Sequence, residues 1–267
     1  MNRKLLSETV RIGLFVLGAV GLAETVGFFF LQEWTQAIIP WELNRLAGIF
    51  LSSICAASSF PMIWIAFSKQ YAALTGGAIN FAVLFAGFAA FSFQVYAVNP
   101  RQPVLVFGLI CAAGLLATLG LIFFGLSHTF DNARPVPGLV RISFLVFAAN
   151  LVIAGVMLAL KRPNVFPWEL TSQQSVLYGW IFLGAGSYFL YGFLRPAWGN
   201  AHGQFFGFLA YDLILIGPFV ALFFGSEPFL IPNLVYYIFM LTYSGALAVY
   251  YLFVNSETRI SFQPSSE

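Results

Sequence analysis

Charge is what this sequence has least of: Asp, Glu, Lys and Arg make up 8% of its 267 residues, where a soluble domain carries about a quarter. So few charges cannot solvate the surface of a chain this long, which excludes a water-soluble globule. Cysteine and histidine are scarce as well, with two of each. Cys55 and Cys111 lie far apart inside apolar runs with no C-x-x-C or Cys/His spacing. That excludes a disulfide relay or a zinc site and leaves both as small buried hydrophobes. His128 and His202 fall at the ends of apolar runs, not on facing helices within hydrocarbon, where haem ligands stand. Lys4, Lys69 and Lys161 lie outside the runs, so no lysine is placed for a retinal Schiff base. With 12 basic and 10 acidic residues, a net +2, there is no basic stripe for nucleic acid and no polybasic tail for anionic lipid. No catalytic residue, metal or cofactor follows from this inventory.

What the chain has in abundance is apolar length. Mean hydropathy is +0.86, with 60% hydrophobic residues and 32 Phe. Apolar stretches near the ~20 residues that cross a bilayer occur at about 12–32, 44–67, 73–97, 103–126, 139–160, 173–194, 203–225 and 231–254. The short connections carry the Pro, Asn and charged residues. Unpaired backbone is not tolerated in hydrocarbon and these runs exceed barrel strands, so the expected fold is all-α, a polytopic bundle of eight transmembrane helices. Eight of the twelve Lys and Arg, Arg3, Lys4, Arg11, Lys69, Arg134, Arg141, Arg195 and Arg259, fall on the side of the N-terminus, and Arg45, Arg101, Lys161 and Arg162 fall on the other. This asymmetry predicts cytoplasmic termini in a bacterial inner membrane. The first run follows basic residues as a signal peptide does but lacks a small-x-small cleavage site, so it is read as a span.

The two halves of the chain resemble one another. Pro40-Trp41-Glu42-Leu43, between spans one and two, recurs as Pro167-Trp168-Glu169-Leu170 between spans five and six, and Val10-Arg11-Ile12 is matched by Val140-Arg141-Ile142. Gly48, Ser52 and Ser59 on span two fall opposite Ser175, Gly179 and Gly186 on span six. Such small-residue faces let helices approach closely, and they predict corresponding seams on spans two and six, with the interface between halves as a candidate. A tandem 4+4 duplication is inferred, one repeat over 1–130, a second over 131–256 and a short cytoplasmic tail over 257–267. An even number of spans per half makes it a parallel repeat about an axis along the membrane normal.

The repeated tetrapeptide suits a membrane boundary: Pro opens a helix, Trp41 and Trp168 lie in the headgroup belt, and Glu42 and Glu169 favour the helix N-terminus. Phe166-Pro167-Trp168-Glu169-Leu170-Thr171, followed by Gly179-Trp180, resembles a motif of uncharacterised bacterial multi-span membrane proteins in which Pro-Trp-x-Leu-Thr precedes a helix bearing Gly-Trp. The first copy departs from it, with Asn44 in place of Thr and no Trp after Gly48. The resemblance covers about a tenth of the chain and implies no activity.

Ionisable groups inside hydrocarbon are expensive and stand as functional candidates by default. Glu24 lies past the middle of span one and Asp212 near the centre of span seven, directly after Tyr211. Helical spacing puts Gln204 on the face of Tyr211 and Asp212, and Asn80 and Gln94 on one face of span three; Asn150 sits in span five. These seven form the candidate proton or ligand site. Phe85 is the counterpart of Asp212 in the other half, which argues against a symmetric site. Two readings compete. A non-enzymatic scaffold or accessory subunit, docking a membrane protein partner or its own copy, predicts a dry aromatic core with Asp212 satisfied by neighbours. A proton-coupled small-solute transporter using Asp212 and Glu24, with kinks at Pro61, Pro218 and Pro232, predicts a polar cavity reaching one face of the membrane. An enzyme would need acids, bases or metal ligands converging at one depth, such as His128, Asp131, Arg134, Arg195 and His202 at the cytoplasmic end.

Overall fold

A computed structural model describes residues 3–225 and 229–260. Residues 1–2, 226–228 of the last connection and 261–267 of the tail, and the side chains of Arg3, Gln32 and Thr35, lie outside the described residues. The chain is all helical: α1 (Arg3–Phe30), the short α2 (Gln32–Ile38), α3 (Arg45–Ser68), α4 (Leu74–Val98), α5 (Gln102–Leu126), α6 (Gly138–Ala159), α7 (Ser172–Leu194), α8 (Trp198–Leu222) and α9 (Ile231–Val249). Among the described residues eight helices are long and apolar enough to cross a membrane, and the chain is a multi-pass helical membrane protein. Apolar side chains such as Leu116, Phe123 and Leu213 face outward, as lipid-facing residues do, because a bilayer offers no reason to bury them.

The helix limits differ from the hydropathy limits where polar residues extend a helix past its apolar run. α1 begins well before Ile12 and is carried out of the hydrocarbon by an Arg11–Glu8 pair at 2.9 Å, one turn apart. α8 begins at Trp198, five residues before the apolar run, because Trp198, Gly199 and Asn200 are buried within the protein. Pro232 lies in the first turn of α9, where its missing N–H costs nothing, so it starts a helix instead of kinking one. Pro61 and Pro218 do lie inside helices.

Packing follows a regular scheme. α1 pairs with α3, α4 with α5, α6 with α7 and α8 with α9; two further seams, α3 with α8 and α4 with α7, join these pairs into one bundle. The small-residue stripes on α3 and α7 serve the first kind of seam, not the interface between the halves. Ser52 donates to the Thr25 carbonyl of α1 at 2.7 Å, and Ser175 donates to the Leu158 carbonyl of α6 at 2.7 Å. A Cβ on Gly179 would stand 2.6 Å from the Ala159 amide, so α6 and α7 touch backbone to backbone.

The α3–α8 and α4–α7 seams are built from residues 127 positions apart. Gly76 on α4 lies under Tyr188 and Tyr191 of α7, while Gly203 on α8 faces Pro61 and Trp64 of α3. Gly184 of α7 rests on Asn80 of α4, as Gly207 of α8 rests on the Ala57 carbonyl of α3. The chain between α5 and α6 crosses the face that carries the N-terminus: Val136 N–H donates to Pro196 O, Trp198 N–H to Arg134 O and Gln70 Nε2 to Asp131. The connections α1–α3, α4–α5, α6–α7 and α8–α9 lie together on the opposite face, where Leu230 N–H donates to Pro167 O at 2.9 Å.

Candidate functional site

The repeated Pro-Trp-Glu-Leu organises that opposite face, by a physical route other than the one its composition suggests. Both indoles are buried against the rest of the protein. Trp41 stacks on Phe91 at 5.8 Å and meets Phe107 edge-on at 5.2 Å; Trp168 meets Phe166 at 4.7 Å and Phe219 at 5.8 Å. A lipid-facing indole would leave its ring against acyl chains, whereas these rings fill the space under their own connections. Glu42 and Glu169 are exposed and do not cap the helices. The caps are the residues two positions later: Asn44 accepts from Ala47 N–H at 2.8 Å, and Thr171 accepts from Gln174 N–H at 3.2 Å while Gln174 Oε1 accepts from Thr171 N–H. Gln174 also reaches across to the other copy, donating through Nε2 to the Glu42 carbonyl at 3.0 Å.

Between these two copies the α4–α7 seam opens into a cavity of about 770 Å³ on the face opposite the termini. The first half contributes Trp41, Glu42, Arg101 and one face of α4, Phe91, Gln94, Val95 and Val98; the second half contributes Lys161 and Thr171, Ser172 and Gln173 at the start of α7. Four residues of α4 line it, spread from Phe91 to Val98, a length of ~10 Å at helical rise. Arg101 and Lys161 are both exposed at its rim. Arg101 makes one long bond, 3.4 Å, to the Pro40 carbonyl, and Lys161 follows the C-cap of α6, Leu160, with its backbone in the left-handed region, φ 57°. Neither rim cation is paired with a carboxylate among the described residues.

The candidate polar residues do not converge on one site. Asp212 is 6% exposed and accepts from Ser244 of α9 at 3.1 Å to each carboxylate oxygen, closing the α8–α9 seam. Glu24 accepts from the Trp34 indole of α2 at 2.9 Å. Tyr211 shares a 2.7 Å hydroxyl bond with Tyr237, and Gln204 donates to the Tyr188 carbonyl at 2.9 Å. Asn80 lies against Gly184 in the α4–α7 seam, and Asn150 is half-buried on α6. Gln94 alone of the seven lines the cavity. At the other end of the bundle, His202 packs between Trp64 and Trp198, with ring centroids 5.5 and 5.0 Å away, and His128 bonds the Phe124 carbonyl of its own helix at 2.8 Å. Among the described residues no three His, Cys, Asp or Glu side chains gather as metal ligands.

Sequence reasoning missed the cavity because Arg101, Lys161 and the start of α7 sit in connections, outside the apolar runs in which polar residues draw attention. The available signal was that Arg101 and Lys161 are two of the four basic residues that fall in the connections of this face. No known family, no curated protein and no solved structure matches the chain.

Proposed function

We propose that this membrane protein is a small-solute carrier built by tandem duplication, whose solute enters through the cavity at the α4–α7 seam. The observation that carries the reading is the cavity itself: about 770 Å³, lined from both halves and open on one face, within the ~300–1,000 Å³ range of small-molecule sites. The duplication is supported by the seams. Exchanging α1, α3, α4 and α5 for α6, α7, α8 and α9 carries each helix pair onto another pair in contact. It also carries Gly76 with Tyr188 onto Gly203 with Pro61. Two related halves meeting at two equivalent seams can rock about a site between them, the usual geometry of alternating access. Asp212, as a carboxylate inside a span, is the candidate for coupling to protons. The positive-charge asymmetry supports a cavity mouth on the non-cytoplasmic side.

A scaffold or accessory-subunit reading is favoured by one observation, the Asp212–Ser244 bond within a packed, Phe-rich core. Spin labels at Asn99 and Ser172, on opposite lips of the cavity, separate the two. A carrier in liposomes gives two distance populations whose ratio responds to an imposed pH gradient. A single distance, unmoved by the gradient, supports the scaffold and removes the carrier reading.

A further inference from the structure

The charge and the walls of the cavity go together in a way that specifies what it takes. Resting on the carrier reading, the geometry points to an amphipathic monoanion as its occupant, the negative group held between Arg101 and Lys161 and the apolar part against Phe91, Val95 and Val98. The rim offers two cations against the single carboxylate of Glu42, and neither cation has a carboxylate partner among the described residues. One cation comes from each half, so a bound anion draws the two sides of the seam together. Arg101 is held only by a 3.4 Å contact to a carbonyl and can turn its other N–H groups inward. A guanidinium and an ammonium together suit a carboxylate or a phosphodiester, one giving paired hydrogen bonds and the other a point charge. From the rim inward, α4 presents Val98 at the mouth, then Val95 and Phe91, with the Gln94 amide between them. A small inorganic anion would leave these walls wet, whereas a cationic solute would meet the wrong charge at the mouth. The same chemistry is carried by a free organic acid and by the headgroup of an anionic lipid.

Isothermal titration of the full chain in phosphatidylcholine nanodiscs with hexanoate, hexanamide and hexylammonium tests the assignment. Hexanoate is expected to bind, hexanamide and hexylammonium to bind at least about tenfold more weakly, and the Arg101→Gln/Lys161→Gln variant to lose at least about tenfold in hexanoate affinity. Raising the fraction of phosphatidylglycerol distinguishes the sources: competition with hexanoate identifies the lipid headgroup, and an unchanged affinity identifies a free acid. Hexanoate affinity that is absent, or unaffected by the double substitution, overturns the inference, as does preference for hexylammonium. Labelling of Gln94→Cys by a membrane-impermeant maleimide, read on the same preparation, tells the two failures apart. A labelled thiol leaves the open cavity standing without the anion, and an unlabelled one removes the carrier reading too.

Discussion

Asn44 and Thr171, 127 positions apart, cap α3 and α7 with side-chain oxygens that accept from the third residue onward, Ala47 N–H at 2.8 Å and Gln174 N–H at 3.2 Å. The substitution that breaks the resemblance between the two copies of the motif therefore preserves its physics, since Asn and Thr are both strong N-caps. Each cap fixes where a spanning helix starts, and with it the height at which the buried indole three residues earlier meets the core.

Removing either cap should cost about 1 kcal/mol, with Thr171→Ala the more damaging because Gln174 loses its reciprocal bond. Asn44→Thr and Thr171→Asn should stay within a few tenths of a kcal/mol of the parent on the same scale. Reversible unfolding from bicelles into SDS measures both differences.

Gly179→Ala should force α6 and α7 apart, because the added methyl meets the Ala159 backbone amide at 2.6 Å. Overpacking of this kind costs about 1–3 kcal/mol. Gly77→Ala is the matched control: nothing lies within 4 Å of its Cβ, so helix propensity alone should leave it neutral or slightly stabilised. Thermal aggregation midpoints of the two variants, compared in one detergent, give the answer.

Trp41 and Trp168 act as core residues in this structure, 3% and 6% exposed. Replacing either by Ala should cost about 3–5 kcal/mol through the cavity left behind, while Phe should recover much of the loss. Anchors at the headgroups would behave differently, with Phe as poor as Ala and a dependence on lipid headgroup. Stability of the four variants in two lipids separates these behaviours.

Asp212→Asn keeps an acceptor for Ser244 and should leave stability within about 1 kcal/mol of the parent, the size of an interhelical polar contact. It removes an exchangeable proton, so flux driven by a pH gradient should be lost while solute binding at the α4–α7 cavity persists. Flux unchanged in liposomes bearing the variant would take Asp212 out of the coupling step.

The eight helices were legible because hydropathy reports the one interaction that dominates in lipid, and the recurring motif stands just before α3 and again just before α7. Seams were harder to place. Ser52 and Ser175 mark close helix contact, but a small residue carries no label for its partner, and both partners proved to be the preceding span. The polar candidates misled for a related reason. Asp212, Tyr211 and Gln204 share a helix face by spacing, yet α8 meets α7 and α9 there, and each side chain finds a different neighbour within that wall. The cavity was hidden because its charged residues are ordinary connection residues, significant only once α4 and α7 bring Arg101 and Lys161 to one mouth.

The most direct test of the carrier account is the accessibility of α4. In a chain with Cys55 and Cys111 replaced by Ala, Gln94→Cys lines the cavity and Leu84→Cys lies in the core at 8% exposure. A membrane-impermeant maleimide added from the face opposite the termini should modify Gln94→Cys readily and spare Leu84→Cys. Equal protection of the two would mean a dry seam, and would contradict the carrier account.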